Sequence, residues 1–169
     1  SSRKFIWDAM AVNQENGSTV MAMSLYPKEG NPLWEKYSTK VVAHTLKWYS
    51  HYTFPYPYPV AWSIHTDQIG MEYPLICFNG GRSNKDGTYS ESTKYGMIGV
   101  IIHEVGHNYF PMIVNSDERQ WTWMDEGLNT YVQFLTEQHW GRDYPLRRGA
   151  AQTIVDYMKG DKDRMSPIM

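Results

Sequence analysis

At 169 residues, with 41% hydrophobic and 15% aromatic content, the chain has the material for one globular domain with a sizeable core. A formal net charge of −2 argues against nucleic acid or an anionic membrane surface as the main partner, and no apolar run approaches the length of a membrane span. A lone cysteine, Cys77, excludes a disulfide framework and any cysteine-rich zinc site; its apolar setting, Leu75-Ile76-Cys77-Phe78, marks it as a small buried hydrophobe.

Lys4 to Val12 and Ser18 to Tyr26 read as two strands around the turn-rich Asn13-Gln14-Glu15-Asn16-Gly17. Asn31-Pro32 predicts a helix start, with Asn31 as N-cap and Pro32 at the first helical position. That helix carries Trp34, Tyr37, Val41, Thr45, Trp48 and Tyr52 at helical spacing as a packing stripe, and Pro55 ends it. Val60 to Thr66 alternates Val60, Trp62, Ile64 and Thr66 on one face of a half-buried strand, and Tyr73 to Asn79 reads as another. Residues 80–87 form a polar surface loop whose Gly80-Gly81 is too weak a signal for a phosphate site.

A helix from about Thr93 to Phe110 follows, stopped by Pro111, and a second from about Met124 to Trp140. The second places Leu128, Tyr131, Val132, Leu135 and His139 on one face. Glu126 lies near its amino end on a different side, in line with Asn129 and Thr130. Strands precede helices, which predicts an α+β fold with a mixed β-sheet ahead of the functional helices.

The first of these helices holds His103-Glu104-Val105-Gly106-His107. Histidines four apart stand one turn apart on one helical face, where two rings can share a metal. Glu104 beside them offers a carboxylate that can take a proton from water in the same cleft. A third ligand comes from Trp123-Met124-Asp125-Glu126-Gly127, in which Glu126 is the candidate. Two histidines and one carboxylate leave a position open, the donor set of a catalytic rather than a structural zinc. Coincidence on a surface helix is the competing reading. The apolar run Gly99-Val100-Ile101-Ile102 argues against it, since it places the helix in the interior, where two uncompensated histidines are costly. His44, His51, His65 and His139 lie outside the motif and read as structural or surface residues.

Phe110 and Ile113 stand where the metzincin pattern has glycine and histidine, so that pattern fails. The order His103, His107, Glu126 instead resembles the glutamate-zincins of the M1 aminopeptidase family, whose members carry Gly-x-Met-Glu-Asn on a strand upstream of the zinc helix. This chain has Ile69-Gly70-Met71-Glu72-Tyr73-Pro74 there, with no residue between the glycine and methionine and Tyr73-Pro74 in place of the asparagine. Phe54-Pro55-Tyr56-Pro57-Tyr58-Pro59 and Trp123-Met124-Asp125-Glu126-Gly127 extend the resemblance over nearly the whole chain.

The resemblance implies a thermolysin-like zincin core and one bound zinc. It also implies a peptide substrate whose free amino group meets Glu72, with Gly70 and Met71 beside it. On this reading residues 1–169 are one domain, the zinc-bearing part of an M1 catalytic domain, whose partners include an amino-terminal β domain and a helical remainder. The tyrosine that stabilises the oxyanion in the family is expected beyond Met169; Tyr131, Tyr144 and Tyr157 come too early for that role. The isolated chain is therefore expected to hold metal but hydrolyse poorly. Two other readings stand beside the aminopeptidase: a zinc endopeptidase on the same core, and a non-catalytic binding module.

Overall fold

The computed structural model describes residues 3–67 and 70–145, together with Val155, Lys159 and Gly160. Strands β1 (Phe5–Asn13) and β2 (Thr19–Pro27) pair antiparallel around a turn in which Gly17 takes φ 84°. Helix α1 (Leu33–Tyr52) then crosses to β3 (Val60–His65), which lies parallel to β2. The short β4 (Gly70–Met71) runs antiparallel to β5 (Ile76–Asn79), and β5 is parallel to β3. The sheet is mixed, in the order β1-β2-β3-β5-β4, and places β4 at an edge. Among the described residues, helices α2 (Glu91–Gly106) and α3 (Leu128–Gln138) follow the sheet in an α+β arrangement. No helix among the described residues is long and apolar enough to cross a membrane.

One face of the sheet is built for close helix packing. Ala22 and Ser24 on β2, Ala61 and Ser63 on β3, and Cys77 and Asn79 on β5 are all buried. Their small side chains admit α1 over β2 and α2 over β5, and Leu33, Trp34, Val42, Leu46, Ile98, Ile101 and Ile102 fill the layer between. Cys77 is wholly buried as expected, and burial pushes its thiol up to about 12. The opposite face carries Trp7, Leu25, Trp62, Ile64, Ile76 and Phe78, of which Trp7 is 62% exposed.

Several elements differ from the sequence reading. In β3 the fully buried face is Ala61, Ser63 and His65, and Val60, Trp62 and Ile64 are only half covered, because the helices take the small-residue side. Asn31 does not cap α1; the helix begins at Leu33, whose N–H donates to Ser83 Oγ at 3.3 Å. Within α1, Trp34, Val41 and Thr45 are core residues as expected. Tyr49 joins them, whereas Tyr52 is exposed. The strand expected from Tyr73 begins only at Ile76, since Tyr73 and Ile76 exchange backbone hydrogen bonds at 3.1 Å across a tight turn. Leu75 occupies that turn at φ 68°, and its N–H donates to Asn108 Oδ1 at 2.7 Å, tying the hairpin to the end of α2.

Helix α2 starts earlier than expected because Ser90 caps it, accepting from the Thr93 N–H at 3.0 Å. It ends at Gly106 rather than Phe110, which leaves His107 as its C-cap. The second predicted helix divides into a π-helical turn, Trp123–Gly127, and α3. Its buried face shares only Val132 with the set grouped from the sequence. Leu128 and Tyr131 are exposed, while Asn129, Val132, Gln133, Thr136 and Glu137 are buried. A largely polar face can be buried here because its amides and carboxylate bond to α2 and to one another.

Candidate metal centre and cleft

Three side chains from two elements meet at one point. His103 Nε2 and His107 Nε2 are 3.1 Å apart, and Glu126 Oε2 lies 3.2 Å from the first and 3.8 Å from the second. Donors bonded to one zinc at about 2.0–2.1 Å with tetrahedral angles stand roughly 3.4 Å from each other. The triangle has the right size.

The hydrogen bonds behind the rings orient them. His107 Nδ1 lies 2.8 Å from the Phe110 carbonyl oxygen, which can only accept, so Nδ1 carries the hydrogen. His103 Nδ1 lies 2.9 Å from Gln133 Oε1. The Gln133 amide is oriented by its Nε2, which donates to Glu137 Oε1 at 2.8 Å and to the Gly99 carbonyl at 3.2 Å. Its oxygen therefore faces His103, and the His103 hydrogen is also on Nδ1. Each ring then turns its Nε2 toward the other and toward a carboxylate. Two imidazole nitrogens and a carboxylate oxygen converging in this way suit a cation of the borderline-soft kind that nitrogen and oxygen ligands favour.

Local structure explains how this geometry arises. The π-helical turn widens the backbone at Glu126, so its carboxylate reaches back to the histidines while Asp125 turns inward. Asp125 Oδ1 is 3.2 Å from His107 Nδ1, a second acidic neighbour for that ring; burial raises the carboxyl while His107 opposes the shift. Asn129 Nδ2 donates to the His103 carbonyl at 2.9 Å, and Tyr49 Oη donates to Asn129 Oδ1 at 2.8 Å. The three helices meet at Gly106: a Cβ there would lie 2.3 Å from both Asn129 Oδ1 and Tyr49 Oη. The fourth position of the motif, Gly106, is thus fixed by packing.

Glu104 is buried, and one of its oxygens would be 2.4 Å from a Cβ placed on Gly70. The edge strand β4 passes this closely only because Gly70 has no side chain. Glu72, just past β4, groups with Glu104 and His107, ligand-type atoms of the three lying within 4.8 Å of one another. Met71 turns the other way, to the outer face beside Phe78. The structure therefore brings together His103, Glu104, His107, Glu126, Glu72 and Gly70, and leaves Met71 outside.

Asn129, Gln133, Asp125, Tyr49 and Gly106 were not singled out by sequence reasoning. Only Asn129 carried a signal, its alignment with Glu126 along the helix. Tyr144 Oη donates to Glu137 Oε1 at 3.2 Å, Tyr131 is exposed, and Tyr157 lies outside the described residues. Of the other histidines, His44 Nε2 faces the Thr136 carbonyl at 3.0 Å, His51 pairs with Glu15, His65 is buried against Trp34, and His139 stacks on Trp48. A cleft of about 460 Å³ opens beside the triangle and extends along α2.

Comparison with known proteins follows the same lines. The profile of the peptidase family M1 domain matches residues 37–166. Human (Homo sapiens) aminopeptidase N is 32% identical over 123 residues, covering 64% of this chain and 11% of that protein. The rabbit (Oryctolagus cuniculus) enzyme is 31% identical over 124 residues, with the same coverage. The chain thus spans about a tenth of the length of these relatives. Among solved structures, an M1 zinc metallopeptidase from Deinococcus radiodurans superimposes with a TM-score of 0.59 at 22% identity, covering 81% of this chain and 29% of that one. Legionella pneumophila aminopeptidase A, in complex with aspartic acid, gives 0.63 at 12% identity, covering 80% and 16% respectively. At these identities the structural likeness speaks to the fold.

Proposed function

The chain belongs to peptidase family M1, and from that premise we propose that it is the metal-bearing core of a zinc aminopeptidase that removes residues from the amino end of peptides. The observation that carries this reading is the meeting of the His103, His107 and Glu126 donors within 3.8 Å, with Glu104 and Glu72 against them. His103, His107 and Glu126 would hold the zinc, which when bound supplies Lewis acidity toward water and the scissile carbonyl.

The chain's own groups do the rest. Glu104, buried beside Gly70 and not needed as a ligand, takes a proton from the attacking water and delivers it to the leaving amine. Glu72 is placed to receive an ammonium group: a carboxylate near the reacting centre selects a substrate that begins there, whereas an endopeptidase must leave room for residues on both sides. The Gly70 backbone, pressed against Glu104, borders the path of the peptide.

The discriminating experiment replaces Glu72 with alanine in the full-length protein carrying this chain. Turnover of free-amino peptides is expected to fall by about 10²-fold or more, with far smaller change on amino-blocked peptides, because a paired charge loses its partner. Equal losses on both would point to an endopeptidase.

A further inference from the structure

Away from the metal centre, the loop before α2 is tied on both sides of one tyrosine. Gly87, at φ 82°, closes a turn in which its N–H donates to the Asn84 carbonyl at 2.9 Å. The Asn84 N–H donates in turn to the Thr88 carbonyl at 2.8 Å. Asp86 Oδ1 accepts from the Thr88 N–H at 2.9 Å and from its hydroxyl at 2.7 Å. On the other side Ser90 caps α2. Tyr89 stands between these two anchors and crosses to α1, where it meets Tyr37 and Lys36.

The surroundings of its hydroxyl are cationic. Lys36 Nζ donates to Tyr89 Oη at 3.4 Å and lies 5.6 Å from the ring centroid. Tyr37 meets the Tyr89 ring edge to face at 6.4 Å, and Lys94, in the first turn of α2, lies 5.7 Å from the Tyr37 centroid. The acidic groups nearby are engaged: Glu91 pairs with Lys94 at 3.2 Å, and Asp86 holds Thr88. Such a setting favours the phenolate. Hydrogen bonding from Tyr37 lowers the Tyr89 phenol below the ordinary tyrosine value against the opposing effect of desolvation, and Lys36 and Lys94 add to the lowering. The same bond raises Tyr37, which keeps its proton and donates. Elsewhere the trend is opposite: Tyr26, Tyr49, Tyr56 and Tyr109 are buried, and burial pushes their phenols up. Tyr89 is only half-buried, so a reagent can reach it.

We propose that Tyr89 is a nucleophilic modification site that takes an activated sulfonyl group on its phenolic oxygen, with Lys36 and Tyr37 as its positioning residues. The inference is independent of the peptidase reading, since none of these residues belongs to the metal centre. In the step, Tyr89 Oη attacks sulfur, an S–O bond forms and the bond from sulfur to its leaving group breaks. With a sulfonyl fluoride the leaving group departs as fluoride. The phenolic proton passes to solvent, because Lys36 is already an ammonium and Tyr37 holds its own. Nothing is oxidised or reduced. Lys36 stays beside the oxygen and faces the charge that develops on the sulfonyl group.

The test treats the full-length protein carrying this chain with an aryl sulfonyl fluoride at about pH 7.5 and locates adducts by peptide mass spectrometry. The reference is a synthetic peptide of residues 84–94, which holds Tyr89 without α1. Among the 13 tyrosines of the chain the earliest adduct is expected on Tyr89, formed at least about fivefold faster than in the peptide. Its rate should also rise at lower pH than the peptide's. Tyr89→Phe should remove that adduct. Lys36→Met and Tyr37→Phe should each slow it and move the pH profile up toward the peptide's, and either variant serves if the other does not fold. A tyrosine that is merely exposed would react at the peptide's rate, with a profile that neither variant moves. That result, or earlier labelling of another tyrosine, overturns the site.

Discussion

Gln133 Oε1 lies 2.9 Å from His103 Nδ1, so the helix that follows Glu126 also orients one of the histidines that Glu126 faces. The amide cannot flip without losing its bonds to Glu137 and Gly99. Groups that hold a ligating histidine in one tautomer typically contribute 10- to 100-fold to metal affinity. Gln133→Leu is therefore expected to weaken zinc binding by roughly that factor, measured by competition with a fluorescent chelator. Unchanged affinity would mean that packing alone holds the His103 ring.

Gly106→Ala tests the meeting of the three helices. A methyl group placed 2.3 Å from Asn129 Oδ1 and Tyr49 Oη must push α1 or α3 away from α2. Overpacking of this kind costs about 1–3 kcal/mol, which for a domain of this size lowers the melting temperature by roughly 2–12 °C. Because Asn129 also holds the His103 carbonyl, zinc affinity should drop with it. A variant that melts with wild type would show that the contact relaxes at no expense.

Glu104→Gln separates binding from chemistry. The side chain is not one of the three converging donors, so zinc stoichiometry measured by metal analysis should stay that of wild type. Peptide hydrolysis by the full-length protein should fall by about 10²–10⁴-fold, the usual contribution of a positioned base. Loss of zinc together with activity would reassign Glu104 to holding the metal.

His44 gives a pH dependence outside the metal centre. Burial lowers its pKa, outweighing the bond to the Thr136 carbonyl. A depressed folded-state pKa means the unfolded chain takes up the proton first. The contribution to stability is thus complete above the ordinary histidine value of about 6.5, and is lost as pH falls through that value toward the lower folded one. His44→Gln keeps a donor for Thr136 but does not titrate. Between pH 7.5 and about 5, wild type should lose more melting temperature than this variant, and parallel curves would show that His44 carries no proton-linked stability.

Much of the site is legible in the sequence because helical geometry makes it local. Histidines four apart on an interior helix must present their rings to one point, and a following acidic residue on a second helix can close the set. The α+β order, the two-stranded start and the burial of Cys77 follow from period and composition in the same way. The residues around those ligands are not local. Tyr49 and Asn129 are 80 positions apart, and Gln133 reaches a histidine 30 positions earlier. The sequence alone determined which side chains could ligate and what proton chemistry they could share. Tertiary structure decided which face of β3 and of α3 is buried. Small residues admit the helices in the first case, and polar residues bond to α2 in the second, so hydrophobic pattern points the wrong way in β3 and, Val132 apart, in α3. It also decided that Glu72 stands against Glu104 while Met71 faces away, because that depends on where a two-residue edge strand pairs, and pairing is set by β5 rather than by anything within the strand itself.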